Sequence, residues 1–186
     1  MNYNKEFWDK YANENESKFN VEFAKFVRDL AVSLRCTSVL EIGSGTGIDL
    51  RLFPETFDVH GIDLNYTALN IAKEKLPKFD FKKSPITDLP FENSSVDFIF
   101  THQLLNYLED DVLEKGISEM HRVARKYIMN CERYDEAEKQ INDSSKFRNM
   151  QKRWLDYKVR IVSNVDMHEE IEPDKSRFTL LRKLEK

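Results

Sequence analysis

The stretch "VLEIGSGTG", from Val39 to Gly47, decides the fold of this chain. Three glycines fall within five positions, directly after a short apolar run that contains one acid. A strand that leads into such glycines and then into a helix lets the backbone approach a ligand without a side-chain clash. The stretch therefore predicts a ligand-binding turn at the carboxyl end of a buried strand.

The spacing of the glycines and two acids indicates the kind of ligand. Dinucleotide-binding turns follow the pattern G-x-G-x-x-G and hold a pyrophosphate at the helix N-terminus. Here the third glycine, Gly47, comes one residue early, and Glu41 precedes the turn by two residues. An acid at that position repels a pyrophosphate and favours a ligand with an ammonium group. Asp63, twenty residues after Gly43, stands where a carboxylate accepts hydrogen bonds from ribose hydroxyls.

The rest of the chain predicts strands that alternate with helices around this turn. After the strand Ser38–Ile42, strands are predicted over 58–64, 79–84, 96–102 and 126–132. Helices are predicted over 21–34, over 47–53 up to Pro54, from the cap Asn65 to Pro77, and from Asp110 or Asp111 to Ala124. Segments 157–166 and 176–184 alternate like two antiparallel strands at one edge of the sheet. This order predicts a parallel sheet with helices on both faces and a ligand beyond the carboxyl ends of its strands.

Composition and length bound the class of protein. The chain has 186 residues and a net charge of −4, so we expect a single domain over 1–186. Because no block of basic residues stands out, a nucleic-acid partner is disfavoured. Cys36 and Cys131 lie too far apart for a metal-ligand spacing or a disulfide framework, which suits the cytoplasm. We expect no signal peptide and no membrane association, because no apolar run has the required length.

This combination resembles the class I S-adenosylmethionine (SAM)-dependent methyltransferases. The family motif [V/L]-L-[D/E]-x-G-x-G-x-G stands here as "VLEIGSGTG", and the ribose acid stands as Asp63 in "GIDLN". A third motif stands as "LPFENSSVD", from Leu89 to Asp97. The resemblance runs from the first to the fifth strand. It implies SAM as cofactor and a Rossmann-like, mostly parallel seven-stranded sheet with an antiparallel last strand.

The resemblance also implies a set of cofactor contacts. Glu41 would hold the methionine ammonium, Asp63 the ribose diol, and Leu64 one face of the adenine. Many family members carry an acid where this chain has Pro85, so we expect backbone groups of nearby residues to contact the adenine, with Asp88 as an alternative partner or a solvated residue. The implied cofactor-binding residues are Glu41, Gly43, Ser44, Gly45, Gly47, Asp63, Leu64, Ile86 and Thr87, with Tyr11 from the N-terminal segment.

The N-terminal segment, residues 1–20, is a candidate lid. Phe7, Trp8 and Tyr11 share one face of a predicted helix. The segment either docks through these aromatic rings or covers the cofactor, with Tyr11 reaching its methionine end. Similar methyltransferases carry such a segment before the first strand.

The catalytic candidates are His102 and Tyr107. His102 ends the fourth predicted strand, and a histidine titrates close to neutral pH, as a general base must. Relatives often place a histidine five residues later, where this chain has Tyr107. Three interpretations stay open: His102 acts as the base, Tyr107 shapes the pocket, or the reaction needs no base. His102 also suits a hydrogen bond to the cofactor loop or an exposed position.

Further polar residues are candidates for binding the acceptor. Arg133 suits a substrate carboxylate or phosphate, or equally a surface acid. No metal site is expected, because Asp97 lies at the start of the fourth strand, the wrong end for a metal beside the cofactor. The candidate substrate-binding residues are Gln103, Asn106, Glu132, Arg133 and Tyr134.

A looser similarity concerns the acceptor. Methyltransferases associated with the biosynthesis of pseudaminic acid and other surface glycans share the "FW" segment, the "KYI" strand and the two-stranded tail. We therefore expect methylation of a small polar acceptor such as a sugar or a nucleotide-sugar. The alternative is a catalytically inactive module that binds SAM or a partner. The glycine spacing disfavours a nicotinamide dehydrogenase, and "THQL" disfavours an adenine-N6 methyltransferase; the oligomeric state stays open.

Overall fold

The structure is a computed structural model that describes residues 5–15, 19–173 and 175–184, without the side chains of residues 5 and 15. Two helices come first, α1 (Lys5–Asn15) and α2 (Val21–Ser33). The next elements are β1 (Ser38–Ile42), β2 (Asp58–Asp63), α3 (Tyr66–Lys75), β3 (Asp80–Lys83), β4 (Val96–His102), α4 (Asp110–Val123) and β5 (Ala124–Arg133). The last ones are β6 (Gln140–Asn142), β7 (Ser145–Lys146), α5 (Met150–Arg153), β8 (Val159–Asp166) and β9 (Ser176–Lys183).

Seven of these strands form one sheet in the order β3-β2-β1-β4-β5-β9-β8. β9 pairs antiparallel with both of its neighbours, whereas the pairs from β3 to β5 are parallel. The last strand therefore runs against the rest of the sheet. This confirms the predicted mostly parallel seven-stranded sheet and its antiparallel last strand.

The two faces of the sheet carry separate hydrophobic clusters. All five residues of β1 are buried, and apart from Ser38 and Glu41 they are apolar, as a central strand requires. Val39 points into one cluster with α2 and α3, whereas Leu40 points into the other with α4. Helices therefore cover both faces, as predicted, and the carboxyl ends of the parallel strands meet along one edge.

Two local predictions near the turn have different outcomes. Asn65 caps α3 as expected, since its side chain accepts a 3.0 Å hydrogen bond from the amide of Ala68. The helix predicted over 47–53 is wrong in length: the structure has a single 3-10 turn over Ile48–Leu50. Gly47 has a φ of 73°, which is left-handed, so this residue cannot be part of the helix predicted to begin there. Pro54 limits the segment at its other end.

The segment between β5 and β8 contains structure that the sequence did not predict. β6 and β7 form a small hairpin, and α5 follows it. Arg148, which is buried, donates hydrogen bonds to the carbonyl groups of Leu105 and Leu108 and to the carboxylate of Asp110. These bonds attach the hairpin to the turn that follows β4. Within the described parts of the chain, no helix is both long and apolar enough to cross a membrane.

Candidate active site

A cleft of about 820 Å³ opens at the carboxyl ends of β1, β2 and β4. This volume lies within the range of roughly 300–1,000 Å³ that is typical of small-molecule sites. Residues predicted to bind cofactor or acceptor that line it are Tyr11, Glu41, Gly43, Ser44, Gly45, Asp63, Leu64, Ile86, His102, Gln103 and Tyr107.

The glycine turn forms the floor of the cleft. Gly43, Gly45 and Gly47 have φ angles of 77°, 51° and 73°, a region that side chains rarely tolerate. A Cβ atom on Gly43 would lie 2.8 Å from Leu104, whereas one on Gly45 would have no atom within 4 Å and would enter the open cleft. Gly47 is not among the lining residues and packs toward Phe81 instead. The ligand contact expected for Gly47 is therefore replaced by a role in shaping the turn.

Asp63, at the end of β2, is held by two backbone amides. Its Oδ2 accepts a 2.9 Å hydrogen bond from Gly45, and its Oδ1 accepts a 2.7 Å bond from Asn65. Burial raises the pKa of this carboxyl above its ordinary value, while these two bonds oppose the shift. The carboxylate is thus oriented at the lip of the cleft, where a ribose diol can donate to it.

The next part of the cleft is apolar. Leu64 is 61% exposed and Ile86 is buried, and both line the cavity, as expected for walls around a planar ring. Thr87 is not a lining residue, and the exposed Asp88 lies outside the lining as well. The hydroxyl of Ser84 donates a 2.6 Å bond to the Asp88 carbonyl, which turns this segment away after Ile86. The adenine contacts expected from Thr87 and Asp88 are therefore not seen.

Glu41 lines the cleft from the buried strand β1. Its side chain is 3% exposed, and its Oε2 has no hydrogen-bond partner among the described residues. Burial, and next the charge of Asp49, raises its pKa well above the ordinary value. A buried carboxyl with a free oxygen facing a cleft is suited to a ligand that donates hydrogen bonds and carries positive charge.

His102 is the centre of a buried ionic chain. Its Nδ1 lies 2.7 Å from Asp49 Oδ2, and its Nε2 lies 2.7 Å from Glu172 Oε2. The ring also stacks on Phe23, with centroids 3.7 Å apart. Burial by itself would lower the pKa of His102, but the two acids raise it to about 10. An imidazolium with both nitrogens donating to carboxylates is not available as a base, so the geometry argues against the catalytic role expected for His102.

Aromatic side chains from α1 close over the cleft. Trp8 and Tyr11 line it, and the Trp8 ring meets Tyr107 edge-on at 5.4 Å. The part of the N-terminal segment in α1 therefore lies where a lid was expected, and residues 1–4 and 16–18 of that segment lie outside the described residues. Tyr107 lines the cleft, which fits the interpretation that this residue shapes the pocket.

Four expected acceptor-binding residues do not line the cleft. Asn106 is buried, donates to the Arg133 and Lys146 carbonyls and accepts from the Arg133 amide, so it joins two segments. Glu132 is also buried and accepts hydrogen bonds from Thr101 and from the amide of Leu105. Burial raises the pKa of Glu132 to about 7, against these bonds.

Arg133 and Tyr134 follow β5, where the predicted sheet placed an acceptor loop. Neither lines the cleft, and the ring of Tyr134 is covered by the guanidinium of Arg177, 3.7 Å from its centroid. The segment with the hairpin of β6 and β7 lies against this region. The amide of Phe147 donates to the Lys139 carbonyl, and the amide of Arg148 donates to the Arg133 carbonyl. Of the five expected acceptor residues, the structure brings Gln103 to the cleft.

Sequence reasoning missed two acids that the structure places beside His102. Asp49 stands two residues after the last glycine, in "GIDL", and Glu172 stands in the polar loop before β9. The signal for Asp49 was an acid inside an otherwise apolar stretch. No local pattern distinguishes Glu172 from its exposed neighbours Glu169 and Glu170, because only folding brings it to β4.

Comparison with known proteins finds a family model that matches the part of the chain around the glycine turn. Residues 39–127 match the family model described as "Methyltransferase domain". This range begins at the glycine stretch and ends inside β5, so it contains the strands that build the cleft floor.

Two curated relatives match about half of the chain. The ubiquinone/menaquinone biosynthesis C-methyltransferase of Campylobacter jejuni is 31% identical over 97 residues, which are 47% of this chain and 40% of that protein. The phosphatidylethanolamine N-methyltransferase of Cereibacter sphaeroides is 32% identical over 101 residues, 51% of this chain and 49% of that protein. The match thus spans half or less of the length of these relatives.

A solved structure extends the likeness to nearly the whole chain. An S-adenosylmethionine-dependent methyltransferase from Clostridium acetobutylicum superposes with a TM-score of 0.72 at 15% sequence identity. The superposition covers 97% of this chain and 98% of that one. Residues 39–127 are therefore similar to a methyltransferase domain, and the chain as a whole has the fold of this solved methyltransferase.

Proposed function

We propose that this chain transfers the methyl group of SAM to a small polar acceptor. The observation that carries the proposal is the composition of one cleft. It combines a buried acid with a free oxygen, a glycine turn open to a ligand, and a carboxylate beside an apolar wall. The buried acid suits the amino acid group, the open turn suits the chain that carries the sulfonium, the carboxylate suits the ribose, and the apolar wall suits the adenine.

The chain's own groups fit the cofactor at each position. Oε2 of Glu41 is a buried acceptor that an α-ammonium group satisfies. The absence of a side chain on Gly45 leaves space in the cleft that a Cβ atom would fill. Asp63 presents a fixed carboxylate for a ribose diol, and Leu64 and Ile86 present apolar surfaces to a base.

The chain contributes position and desolvation to the reaction. SAM, when bound, supplies a methyl carbon that its positive sulfur already activates. Trp8, Tyr11 and Tyr107 form an aromatic wall that excludes water from the cleft, and Gln103 offers a polar contact. Such positioning supplies much of the rate enhancement of a bimolecular displacement. Because His102 is held between two acids, we propose that it does not take the acceptor proton. The methyl carbon bonds to the acceptor atom as its bond to sulfur breaks, S-adenosylhomocysteine leaves, and the proton of a hydroxyl acceptor passes to water at the open side of the cleft.

The charge of the cleft bears on the acceptor. Among the described residues that line the cleft, the acids outnumber the bases. The acids are Asp9, Glu41, Asp49, Asp63 and Glu172, and the bases are Lys83 and His102. A diphosphate placed among these carboxylates would be repelled. The sequence resemblance favours a sugar or nucleotide-sugar acceptor, and the charge supports the sugar without its nucleotide. The two curated relatives are named for acceptors of different chemistry and do not decide between classes.

Calorimetric titration with SAM and S-adenosylhomocysteine tests the cofactor half of the proposal. We expect both to bind wild-type protein and to bind Asp63→Ala about tenfold or more weakly, because a charged hydrogen-bond acceptor is lost. Asp88→Ala is the matched control, since that acid is exposed and outside the cleft lining. No binding of either compound by wild type would refute SAM as the cofactor.

Methyl transfer is tested with isotopically labelled SAM. The acceptor panel contains free sugars, nucleotide-sugars, amino alcohols and quinone precursors, and label transferred to any small acceptor supports the proposal. Cofactor binding with no transfer across the panel would contradict catalysis and favour the alternative of an inactive SAM-binding module.

A further inference from the structure

The acids around His102 form a continuous buried chain that no ordinary helix or sheet interaction requires. It runs from Glu41 on β1 to Asp49 in the 3-10 turn, then to His102 on β4, and ends at Glu172 before β9. The side chains of Asp49 and Glu172 are 6% exposed, and that of His102 is 15% exposed. All four residues line the cofactor cleft.

This group of four residues carries too little positive charge for its three carboxyl groups. The group holds three carboxyl groups and one imidazolium, of which Asp49 and Glu172 contact the imidazolium. One negative charge is unbalanced when Glu41 is protonated, and two are unbalanced when it is ionised. Burial first, and then the charge of Asp49, raises the pKa of Glu41 well above its ordinary value. Among the described lining residues, the other base is Lys83 on β3, which β2 and β1 separate from β4.

The same four residues also lack hydrogen-bond donors for two of their carboxyl oxygens. The carboxyl groups of Glu41 and Asp49 interact with each other, but Glu41 Oε2 and Asp49 Oδ1 are buried and receive no donor from the described residues. A buried acceptor without a partner costs roughly 1–3 kcal/mol, and more when it is charged. A cationic group with several N–H donors, placed between these two oxygens, corrects both the charge and the hydrogen bonding.

We propose that Asp49 is a second carboxylate of the subsite for the ammonium group, and that His102 and Glu172 are positioning residues that hold Asp49 there. This inference rests on the proposed cofactor. It assigns a role to the loop before β9: Asn20 donates a 2.7 Å bond to the Ile171 carbonyl, which fixes the position of Glu172 against α2. Glu172 holds Nε2 of the His102 imidazolium, and Nδ1 of the same ring orients the carboxylate of Asp49.

The test compares two ligands that differ in the amino acid part alone. S-adenosylhomocysteine carries the ammonium group, whereas 5′-methylthioadenosine keeps the adenosine and the thioether but lacks the amino acid. Calorimetry measures both dissociation constants for wild type and for Asp49→Asn, His102→Gln and Glu172→Gln. We expect each variant to bind S-adenosylhomocysteine about tenfold or more weakly and to bind 5′-methylthioadenosine within about twofold of wild type.

Glu170→Gln is the matched control, because that acid lies in the same loop with a side chain 85% exposed. It should leave both dissociation constants unchanged. Equal weakening of both ligands in the three variants would overturn the inference and indicate a general structural role, as would unchanged binding of S-adenosylhomocysteine. Failure of wild type to bind either ligand would instead refute the proposed cofactor.

A folding defect in one variant does not remove the test. Asp49→Asn retains the size and one hydrogen-bonding oxygen of the native side chain, and its thermal midpoint reports whether the protein is folded. If His102→Gln fails to fold, the ratio of the two dissociation constants in Asp49→Asn and Glu172→Gln still decides the inference.

Discussion

Asp49 Oδ2 lies 2.7 Å from Nδ1 of His102, and this contact joins the glycine turn to the end of β4. Glu172 reaches the other ring nitrogen over the same distance. Burial opposes the charge on the ring, but the two acids outweigh burial and raise the pKa of His102 to about 10. The histidine that the sequence suggested as a base is therefore a buried cation.

This raised pKa predicts a pH dependence of stability. An unfolded histidine loses its proton near pH 6.5, whereas native His102 keeps it to about pH 10. Its stabilisation is full below pH 6.5 and is lost as the pH rises toward 10, with a slope approaching about 1.4 kcal/mol per pH unit. Urea unfolding between about pH 7 and pH 8.5 should show this decline in wild type and a flatter profile in His102→Gln.

The pH window separates His102 from other shifted groups. The pKa of Glu132 is raised to about 7, so at pH 7 its own contribution to the slope is still about half of its maximum and fades above that pH in both proteins. The pKa of Cys36 is raised to about 12, so its effect begins near pH 9. His168→Gln, at an exposed loop position, should keep the wild-type slope. Identical slopes in wild type and His102→Gln would contradict the prediction.

The glycine turn predicts different outcomes for two alanine substitutions. In Gly43→Ala the new methyl group would lie 2.8 Å from Leu104 in backbone with a φ of 77°, so we expect a loss of about 2–3 kcal/mol in unfolding free energy. In Gly45→Ala the methyl group meets no atom within 4 Å, so the loss should be about 1 kcal/mol.

Cofactor binding then distinguishes the two positions further. Because the methyl group of Gly45→Ala enters the cleft, we expect S-adenosylhomocysteine to bind about tenfold or more weakly despite the smaller loss of stability. Urea unfolding and calorimetry measure the two effects. Normal ligand affinity in Gly45→Ala would show that the ligand does not pass over this turn.

Asp97 predicts a structural effect far from the cleft. Its buried carboxylate accepts bonds from the Thr37 amide and hydroxyl, from Arg125 at 2.6 Å and from Lys126 at 3.1 Å. Burial would raise its pKa, but these donors hold it well below the ordinary value. We expect Asp97→Asn to lose about 3 kcal/mol of unfolding free energy at pH 7, because two cations lose their partner.

The sign of the Asp97 effect also follows. A depressed pKa contributes stability above the unfolded value near 3.8, and this contribution is lost as the pH falls through the folded pKa. The difference between wild type and Asp97→Asn should therefore shrink below about pH 4. Asp88→Asn, at an exposed site, should change the free energy by less than about 0.5 kcal/mol.

Arg148 predicts that the hairpin after β5 supports the cleft. Arg148→Met removes the donors to the Leu105 and Leu108 carbonyls and leaves Asp110 with one partner fewer. We expect a loss of about 3 kcal/mol and faster amide hydrogen exchange over residues 105–108. Lys152→Met, an exposed position in α5, should change neither quantity. Unchanged exchange in Arg148→Met would show that the hairpin is not needed for the turn.

The alternation of strands and helices could be predicted because its signals are local. The apolar run of β1, the glycines at positive φ and the cap at Asn65 each depend on neighbouring residues alone. The same holds for Asp63, since the end of a parallel strand beside the glycine turn is fixed by the topology. The short elements between β5 and β8 have no comparable periodicity, and the sequence therefore did not reveal them.

What the sequence by itself determined is the fold and the cofactor half of the cleft, because backbone geometry and strand order follow from local patterns. The tertiary structure alone decided the state of His102, which depends on Asp49 and Glu172, 53 and 70 residues away along the chain. It also decided that Glu132 and Asn106 are buried connectors rather than acceptor ligands. A side chain's charge and exposure are set by groups that folding brings together, and no local spacing encodes them.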